Sequence, residues 1–225
     1  IQPINDVIKI GKKYNVKVLC DAVQCLGKMP LNINDYDIDY MTFSGHKLYI
    51  PKGIGLLYVK DDNAITPLFY GGGHERRLRA GTENTAGAHA FAKGLKLVNK
   101  NLEKEINRQK RLKSLLVNNL KKVSSSVRFN GDLDKSLPNT VNCSFEGIDG
   151  HALAINLDLE GISISTGSAC STGSIDPSST LLCMGLNLSQ VKEAIRISFG
   201  KDTTEKEIQT FSNILQHILN NMGKT

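Results

Sequence analysis

Two side chains in this sequence have the types and positions for joint chemistry. Asp21 follows directly on the apolar run Val16-Lys17-Val18-Leu19-Cys20. Lys47 stands three residues beyond a second run, Tyr40-Met41-Thr42-Phe43-Ser44, within Ser44-Gly45-His46-Lys47. In an α/β sheet the carboxyl ends of the strands line the ligand crevice, so an acid and an amine placed there can reach one bound molecule. The pair suits an aldehyde cofactor with a basic ring nitrogen. The amine bonds the aldehyde, and the carboxylate keeps the nitrogen protonated so that the ring can draw electrons. Pyridoxal phosphate is such a cofactor. Ser44, His46 and the backbone N–H groups around Gly45 are placed to hold its phosphate. Taken singly, Asp21 is a common turn residue, Ser-Gly-His a loop and Lys47 a surface charge. The combination carries the reading.

The elements that must position these residues are legible in outline. Val7, Ile8 and Ile10, interspersed with Lys9, Lys12 and Lys13, predict an amphipathic helix over 5–14, and Val16–Cys20 a buried strand after it. Strands follow over Tyr40–Ser44 and Gly55–Val59, giving part of an α/β sheet. Residues 71–82 form a Gly- and Arg-rich loop. From about Glu83 a long helical pattern runs through Phe91, Leu95, Val98, Leu102 and Ile106, and Leu112, Leu116 and Leu120 continue it until Ser124-Ser125-Ser126. It reads as a domain-linking helix.

The rhythm then changes to a smaller α+β domain. Its strands are expected near 127–129, 140–145 and 194–199, with helices over 150–159 and near 178–184 and a Ser/Gly-rich loop over 163–174. A closing helix starts near Thr204, whose spacing to Glu207 is that of a capping box, with Ile208, Phe211, Ile214, Leu215 and Ile218 as its buried face. The domain boundary is expected at 122/123.

Composition excludes several classes. The 225 residues are 40% apolar and 22% charged, a globular balance, and no stretch approaches the ~18 apolar residues of a membrane span. The N-terminus, Ile1-Gln2-Pro3, has no signal-peptide pattern and no initiator Met, and reads as the interior of something longer. The five cysteines, 20, 25, 143, 170 and 183, form no CxxC pair and no zinc-like spacing, which suits a reducing, cytoplasmic setting without an intrinsic metal. The net charge of +6 is concentrated in 93–122, where ten Lys or Arg face only Glu103 and Glu105. Such a run is ordinarily a solvated helix face and otherwise a docking site for an acidic partner. No aromatic residues interleave with it as nucleic-acid binding would require.

Cys170 sits among Ser168, Ala169, Ser171, Thr172 and Gly173, a segment too small and polar to be core. Cys20, Cys143 and Cys183 lie in strand or helix patterns and read as core residues. His74 reads as structural or interfacial, and His89, His151 and His217 as ordinary surface or core residues.

Seven segments together resemble the cysteine desulfurases, pyridoxal-phosphate enzymes of the class-V aminotransferase superfamily. They are Asp21-Ala22-Val23-Gln24, Phe43-Ser44-Gly45-His46-Lys47, Pro51-Lys52-Gly53-Ile54-Gly55, Gly71-Gly72-Gly73-His74-Glu75-Arg76, Ala80-Gly81-Thr82-Glu83-Asn84, Thr166-Gly167-Ser168-Ala169-Cys170 and Ile195-Arg196-Ile197-Ser198. The resemblance runs the whole length of the chain. It implies part of the large domain of a fold-type I enzyme over 1–122, with a linking helix, and a small C-terminal α+β domain over 123–225 that carries the cysteine loop. It implies Lys47 as the lysine bonded to the cofactor, Asp21 as the partner of the ring nitrogen and Gln24 as a donor to the ring oxygen. Ser44, Gly45 and His46 would bind the phosphate, and Thr82 would reach the phosphate in the neighbouring subunit of a homodimer. Arg196 would hold the substrate carboxylate. Cys170 would take sulfur from L-cysteine as a persulfide, leaving L-alanine, and pass it to a sulfur acceptor or an iron–sulfur scaffold protein, where it would serve as a transient cluster ligand.

The chain begins just after an Asn-rich cofactor-contacting segment of that family, and a fragment of a longer protein is the expected reading. The alternatives are a selenocysteine lyase or another class-V enzyme, which would need Asp21 and Lys47 but not Cys170, and an inactive fragment that retains only partner binding through the basic helix.

Overall fold

A computed structural model of the chain describes residues 1–61, 65–166 and 177–222. The chain is α/β, in two compact units, Ile1–Ile106 and Asn107–Thr225.

The first unit opens with helix α1 (Ile4–Lys13), which turns Ile4 and Ile8 toward the core. Gly11 lets the chain double back, because a Cβ there would lie 2.5 Å from Val18 Cγ2; the Val16 N–H donates to the Gly11 carbonyl at 2.8 Å. Strand β1 (Leu19–Asp21) runs parallel to β2 (Tyr40–Ser44), and β3 (Gly55–Val59) is antiparallel to β2. β1 starts three residues later than its apolar run, for a non-local reason: Asp39 Oδ2 accepts the Val18 N–H at 2.9 Å, so a side chain takes a backbone group that a ladder would otherwise use. Asp37 also ties elements together. Its carboxylate accepts from Lys12 on α1 and Lys60 after β3, and these hydrogen bonds, Lys12's first, hold the carboxyl down at about 2. Among the described residues β1 is an edge strand, and Leu19 on it is exposed.

Helix α2 (Thr85–Lys100) begins at Asn84, whose side chain accepts the Gly87 N–H at 2.9 Å, and it packs Phe91 into the core of Ile8, Ala22, Ile38, Met41, Phe43 and Leu48. The apolar stripe does not continue as one helix. At Asn101 the backbone leaves helical geometry, and α3 (Leu102–Val123) starts anew.

In the second unit β4 (Val127–Phe129), β5 (Thr140–Phe145), β6 (Ser165–Thr166) and β7 (Ala194–Ser198) form an antiparallel sheet in the order β4-β5-β7-β6. Alternation puts Val141, Cys143, Phe145, Ile195 and Ile197 on one face. There they meet Leu112, Leu116 and Leu120 of α3, Leu153 and Leu157 of α4 (Gly150–Leu159), and Ile208, Phe211, Leu215 and Ile218 of α7 (Glu205–Met222). The capping box forms at α7: the Thr204 N–H donates to Glu207 Oε2 at 2.7 Å and the Glu207 N–H to Thr204 Oγ1 at 3.2 Å. Short helices α5 (Ser179–Cys183) and α6 (Leu188–Lys192) complete the unit.

Several of the ten cations in the basic run are engaged internally, Lys121 among them, with its Nζ 6.0 Å from the Phe129 ring centroid. Lys113 is buried and donates to the Leu133 and Leu137 carbonyls at 2.6 and 3.3 Å and to Ser136 Oγ. Arg108 donates to the carbonyls of Gly200, at 2.8 Å, and Thr203, and Arg111 pairs with Glu205 at 2.8 Å. Cys143 is core as expected, but Cys20 is only half-buried and Cys183 is exposed. The helix that carries Cys183 is a single short one whose buried side is taken by Leu181.

Candidate functional site

Because β1 and β2 are parallel, their carboxyl ends emerge side by side. Asp21, the last residue of β1, pairs in register with Thr42, and Ser44 is the last residue of β2. Asp21 Oδ1 accepts from the Val23 N–H at 3.0 Å and lies 3.4 Å from Thr42 Oγ1, so two donors fix the exposed carboxylate. Among the described residues no hydrogen bond occupies its other oxygen.

After β2 the backbone closes one 3-10 turn over Gly45–Leu48, which Tyr49 ends in the left-handed region at φ 61°. This turn carries His46 and Lys47. Ser44 Oγ and His46 Nδ1 are 2.6 Å apart, an arrangement that joins a hydroxyl and an imidazole into one donor unit beside the turn. Leu48 is buried beneath it, and the Gly45 N–H donates to the Ile54 carbonyl at 3.0 Å. Gly45 has no room for a side chain: a Cβ would lie 2.5 Å from Ile50 Cδ1 and 2.8 Å from Ile54 Cγ2. Gly45→Ala is therefore expected to destabilise the protein by about 1–3 kcal/mol, the cost of overpacking, and to weaken cofactor retention by displacing Lys47. Urea unfolding checks it, and an unchanged midpoint would refute the tight contact.

Gln24 and Lys28 extend the cluster. Lys28 Nζ donates to Gln24 Oε1, which leaves the Gln24 NH2 group as the donor it can offer a ligand. Burial, and after it the nearby Lys47 ammonium, push Lys28 down. The neighbouring Cys25 is half-buried, and burial pushes its thiol up. The donor set of this strand-end cluster fits pyridoxal phosphate: a carboxylate for a protonated ring nitrogen, a carboxamide donor, a hydroxyl–imidazole pair with backbone amides for a phosphate, and a primary amine for an aldehyde.

Thr82 is exposed on the loop before α2, and among the described residues no hydrogen bond joins it to this cluster. The preceding loop has a feature that sequence reasoning missed. Glu75, Arg76 and Arg77 are consecutive left-handed residues, at φ 47°, 55° and 68°, beside an open cleft of about 400 Å³ lined by Pro67, Phe69, Tyr70, Gly71, Gly72, Gly73 and Arg77. Exposed Phe69 and Tyr70 next to three glycines were the available signal. His74 Nδ1 is buried with no hydrogen-bond partner among the described residues.

Arg196 belongs to the second unit, on β7. Its Nη2 donates to Ser165 Oγ at 3.1 Å, and its Nε is buried without a hydrogen-bond partner among the described residues. Cys170, with the rest of 167–176, lies outside the described residues.

The family described as Aminotransferase class-V matches residues 1–211. A protein of Dictyoglomus turgidum described as cysteine desulfurase IscS is 37% identical over 219 residues, which cover 97% of this chain and 56% of the relative. A cysteine desulfurase of Nostoc sp. is 39% identical over 217 residues, covering 96% of this chain and 54% of the relative. Among solved structures, a NifS-like protein superposes with a TM-score of 0.87 at 36% identity, covering 98% of this chain and 57% of the other. The NifS-like protein of Rickettsia africae ESF-5 gives 0.87 at 32% identity, with 98% and 58% covered. The chain thus spans a little over half the length of the relatives it matches.

Proposed function

The chain belongs to the class-V aminotransferase family, and from that premise we propose that it is the cofactor- and substrate-binding part of a cysteine desulfurase, an enzyme that takes sulfur from L-cysteine and leaves L-alanine. The family's cofactor is pyridoxal phosphate. The observation that carries the reading is the junction of Asp21 with Ser44, His46 and Lys47 at the ends of two parallel strands. The printed names of the relatives support the finer activity.

When bound, pyridoxal phosphate supplies an electron sink for the carbon skeleton of the amino acid. The chain's own residues do the rest. Ser44, His46 and the Gly45 backbone bind the phosphate, Asp21 holds a proton at the ring nitrogen, and Gln24 donates through its amide NH2. Lys47 Nζ would anchor the cofactor through its aldehyde and, as a free amine, would move a proton. Arg196 offers the planar two-pronged geometry that matches the substrate carboxylate.

Cys170 Sγ, as the thiolate, attacks the substrate sulfur. A sulfur–sulfur bond forms, the carbon–sulfur bond breaks, and its electron pair goes to the β-carbon, which takes a proton and becomes the methyl of alanine. The thiol is oxidised to a persulfide, and the carbon is reduced in equal measure. The persulfide then passes to an acceptor protein, with iron–sulfur cluster assembly as the use of the sulfur. The working form is a homodimer in the cytoplasm, with Thr82 serving the partner's phosphate. No helix among the described residues is long and apolar enough to cross a membrane.

Purified holoenzyme given L-cysteine and a thiol reductant tests the activity. Alanine and sulfide are expected in equal amounts, and mass spectrometry before reduction is expected to find one additional sulfur on the Cys170 peptide. A keto acid in place of alanine would reassign the protein to transamination.

A further inference from the structure

We propose that Asn142 is a second ligand for the substrate carboxylate, with its Nδ2 donating alongside Arg196. The inference rests on the reading of Arg196 given above, and it comes from the register of the small sheet. On the face opposite the core, the pairing of β5 with β7 sets Asn142 opposite Arg196, and the pairing of β6 with β7 sets Ser165 opposite Arg196. Asn130, one residue past β4, donates its backbone N–H to the Asn142 carbonyl at 2.9 Å. Asn130, Asn142, Arg196 and Ser165 therefore form one polar row across four neighbouring segments, and directly opposed side chains in such a row start about 4.5–5.5 Å apart at Cβ.

Hydrogen bonds orient the row from one end. Glu193 receives the Gly147 N–H at 3.1 Å and Arg128 Nη2 at 3.3 Å. Arg128 Nε points its hydrogen at Asn130 Oδ1, 3.5 Å away, which turns the Asn130 NH2 group the other way. That group donates to Asn142 Oδ1 at 2.7 Å and to Ser144 Oγ at 2.9 Å, and Ser144 is fully buried. With its oxygen occupied from the β4 side, Asn142 presents Nδ2 as its remaining donor, and the next residue along the row is Arg196. Ser165 holds Arg196 from the other side through Nη2, while the buried Arg196 Nε has no hydrogen-bond partner among the described residues. A carboxylate can accept about four hydrogen bonds, so it matches a guanidinium edge and one amide N–H together. An aliphatic or acidic residue at 142 would not serve, the first for want of a donor and the second because it would itself neutralise the guanidinium.

Asn142→Asp separates this role from a structural one, since it keeps size and shape and the acceptor oxygen for Asn130. Steady-state kinetics of the holoenzyme with L-cysteine and with L-cysteine methyl ester, which lacks the charged carboxylate, read the effect. KM for L-cysteine is expected to rise about 10- to 100-fold, the range of a lost hydrogen bond to a charged group, with kcat changed far less and KM for the ester unchanged or lower. Equal KM values for wild type and variant, or equal rises for both substrates, would overturn the role of Asn142. Arg196→Ala is measured beside it. If that variant leaves KM for L-cysteine unchanged, the Arg196 reading falls, and the inference with it. If it raises KM while Asn142→Asp does not, only the inference falls. Should Asn142→Asp not fold, as circular dichroism would show, Asn142→Ala removes the donor without adding charge. It must then raise KM for L-cysteine about 10-fold while sparing the ester, and failure to do so refutes the proposal.

Discussion

Replacing Lys47 by alanine is expected to slow alanine and sulfide formation by about 10⁴-fold, the upper range for a lost proton-transferring group, while the protein still takes up pyridoxal phosphate. The two halves of this expectation come from different parts of the site. On the proposed reading uptake rests on Asp21, fixed by the Val23 N–H, and on the Ser44–His46 pair, and neither of these contacts involves the Lys47 side chain. The backbone of the turn is set by Gly45 against Ile50 and Ile54 and by buried Leu48, so truncation at 47 leaves it in place.

Lys28 is the nearby amine that could take over, but its Nζ is committed to Gln24 Oε1. The checks are cofactor retained after gel filtration, read by absorbance, and the rate of alanine release. A variant that keeps a tenth or more of wild-type turnover would remove Lys47 from the proton transfer.

How far such a site can be read from sequence depends on whether its contacts are local. Strands 40–44, 55–59, 127–129 and 140–145 and helix 150–159 stand where their patterns put them, because each is a short run of one periodicity bounded by turn residues or a charged cap. The start of β1 is hidden in the sequence because the residue that takes the Val18 N–H from the ladder is Asp39, 21 positions away. The division of the long stripe at Asn101 was hidden for a different reason. Apolar spacing runs unbroken through it, but Phe91 belongs to the core of the first unit and Leu112 to that of the second. β6 has only two residues and exists because β7 offers an edge, so no pattern announces it.

The same rule divides the site. Asp21 and Lys47 can be singled out by type and place, since each follows an apolar run. Asn142 has no such mark, being one polar residue in the alternation of an ordinary strand. Its neighbours Asn130 and Arg196 are 12 and 54 residues distant and meet it only through strand register.

Cys170→Ala is the second large effect expected: loss of persulfide and sulfide formation by at least ~10³-fold, with cofactor binding and L-cysteine affinity kept. The argument is one of thiolate supply. Attack on a sulfur needs a thiolate near neutral pH, and burial works against that form. Burial pushes Cys143 to about 12, where the thiol is inert, and it also pushes Cys20 and Cys25 up, each further raised by negative charge nearby. None of these three can therefore replace Cys170, although Cys25 lies one residue from Gln24. Cys183 is exposed, and Cys183→Ser serves as the control that should leave turnover unchanged. The decisive measurement is a single turnover of each variant with L-cysteine, followed by mass mapping of additional sulfur on cysteine peptides. If Cys170→Ala still yields alanine with the sulfur on another cysteine, the nucleophile is misassigned. If it yields alanine and elemental sulfur with no sulfur on any cysteine, no enzyme thiol is needed as the sulfur acceptor, and the nucleophile reading of Cys170 falls. If neither product forms while substrate still binds, the electron sink alone cannot break the carbon–sulfur bond, and the thiolate is the partner it requires.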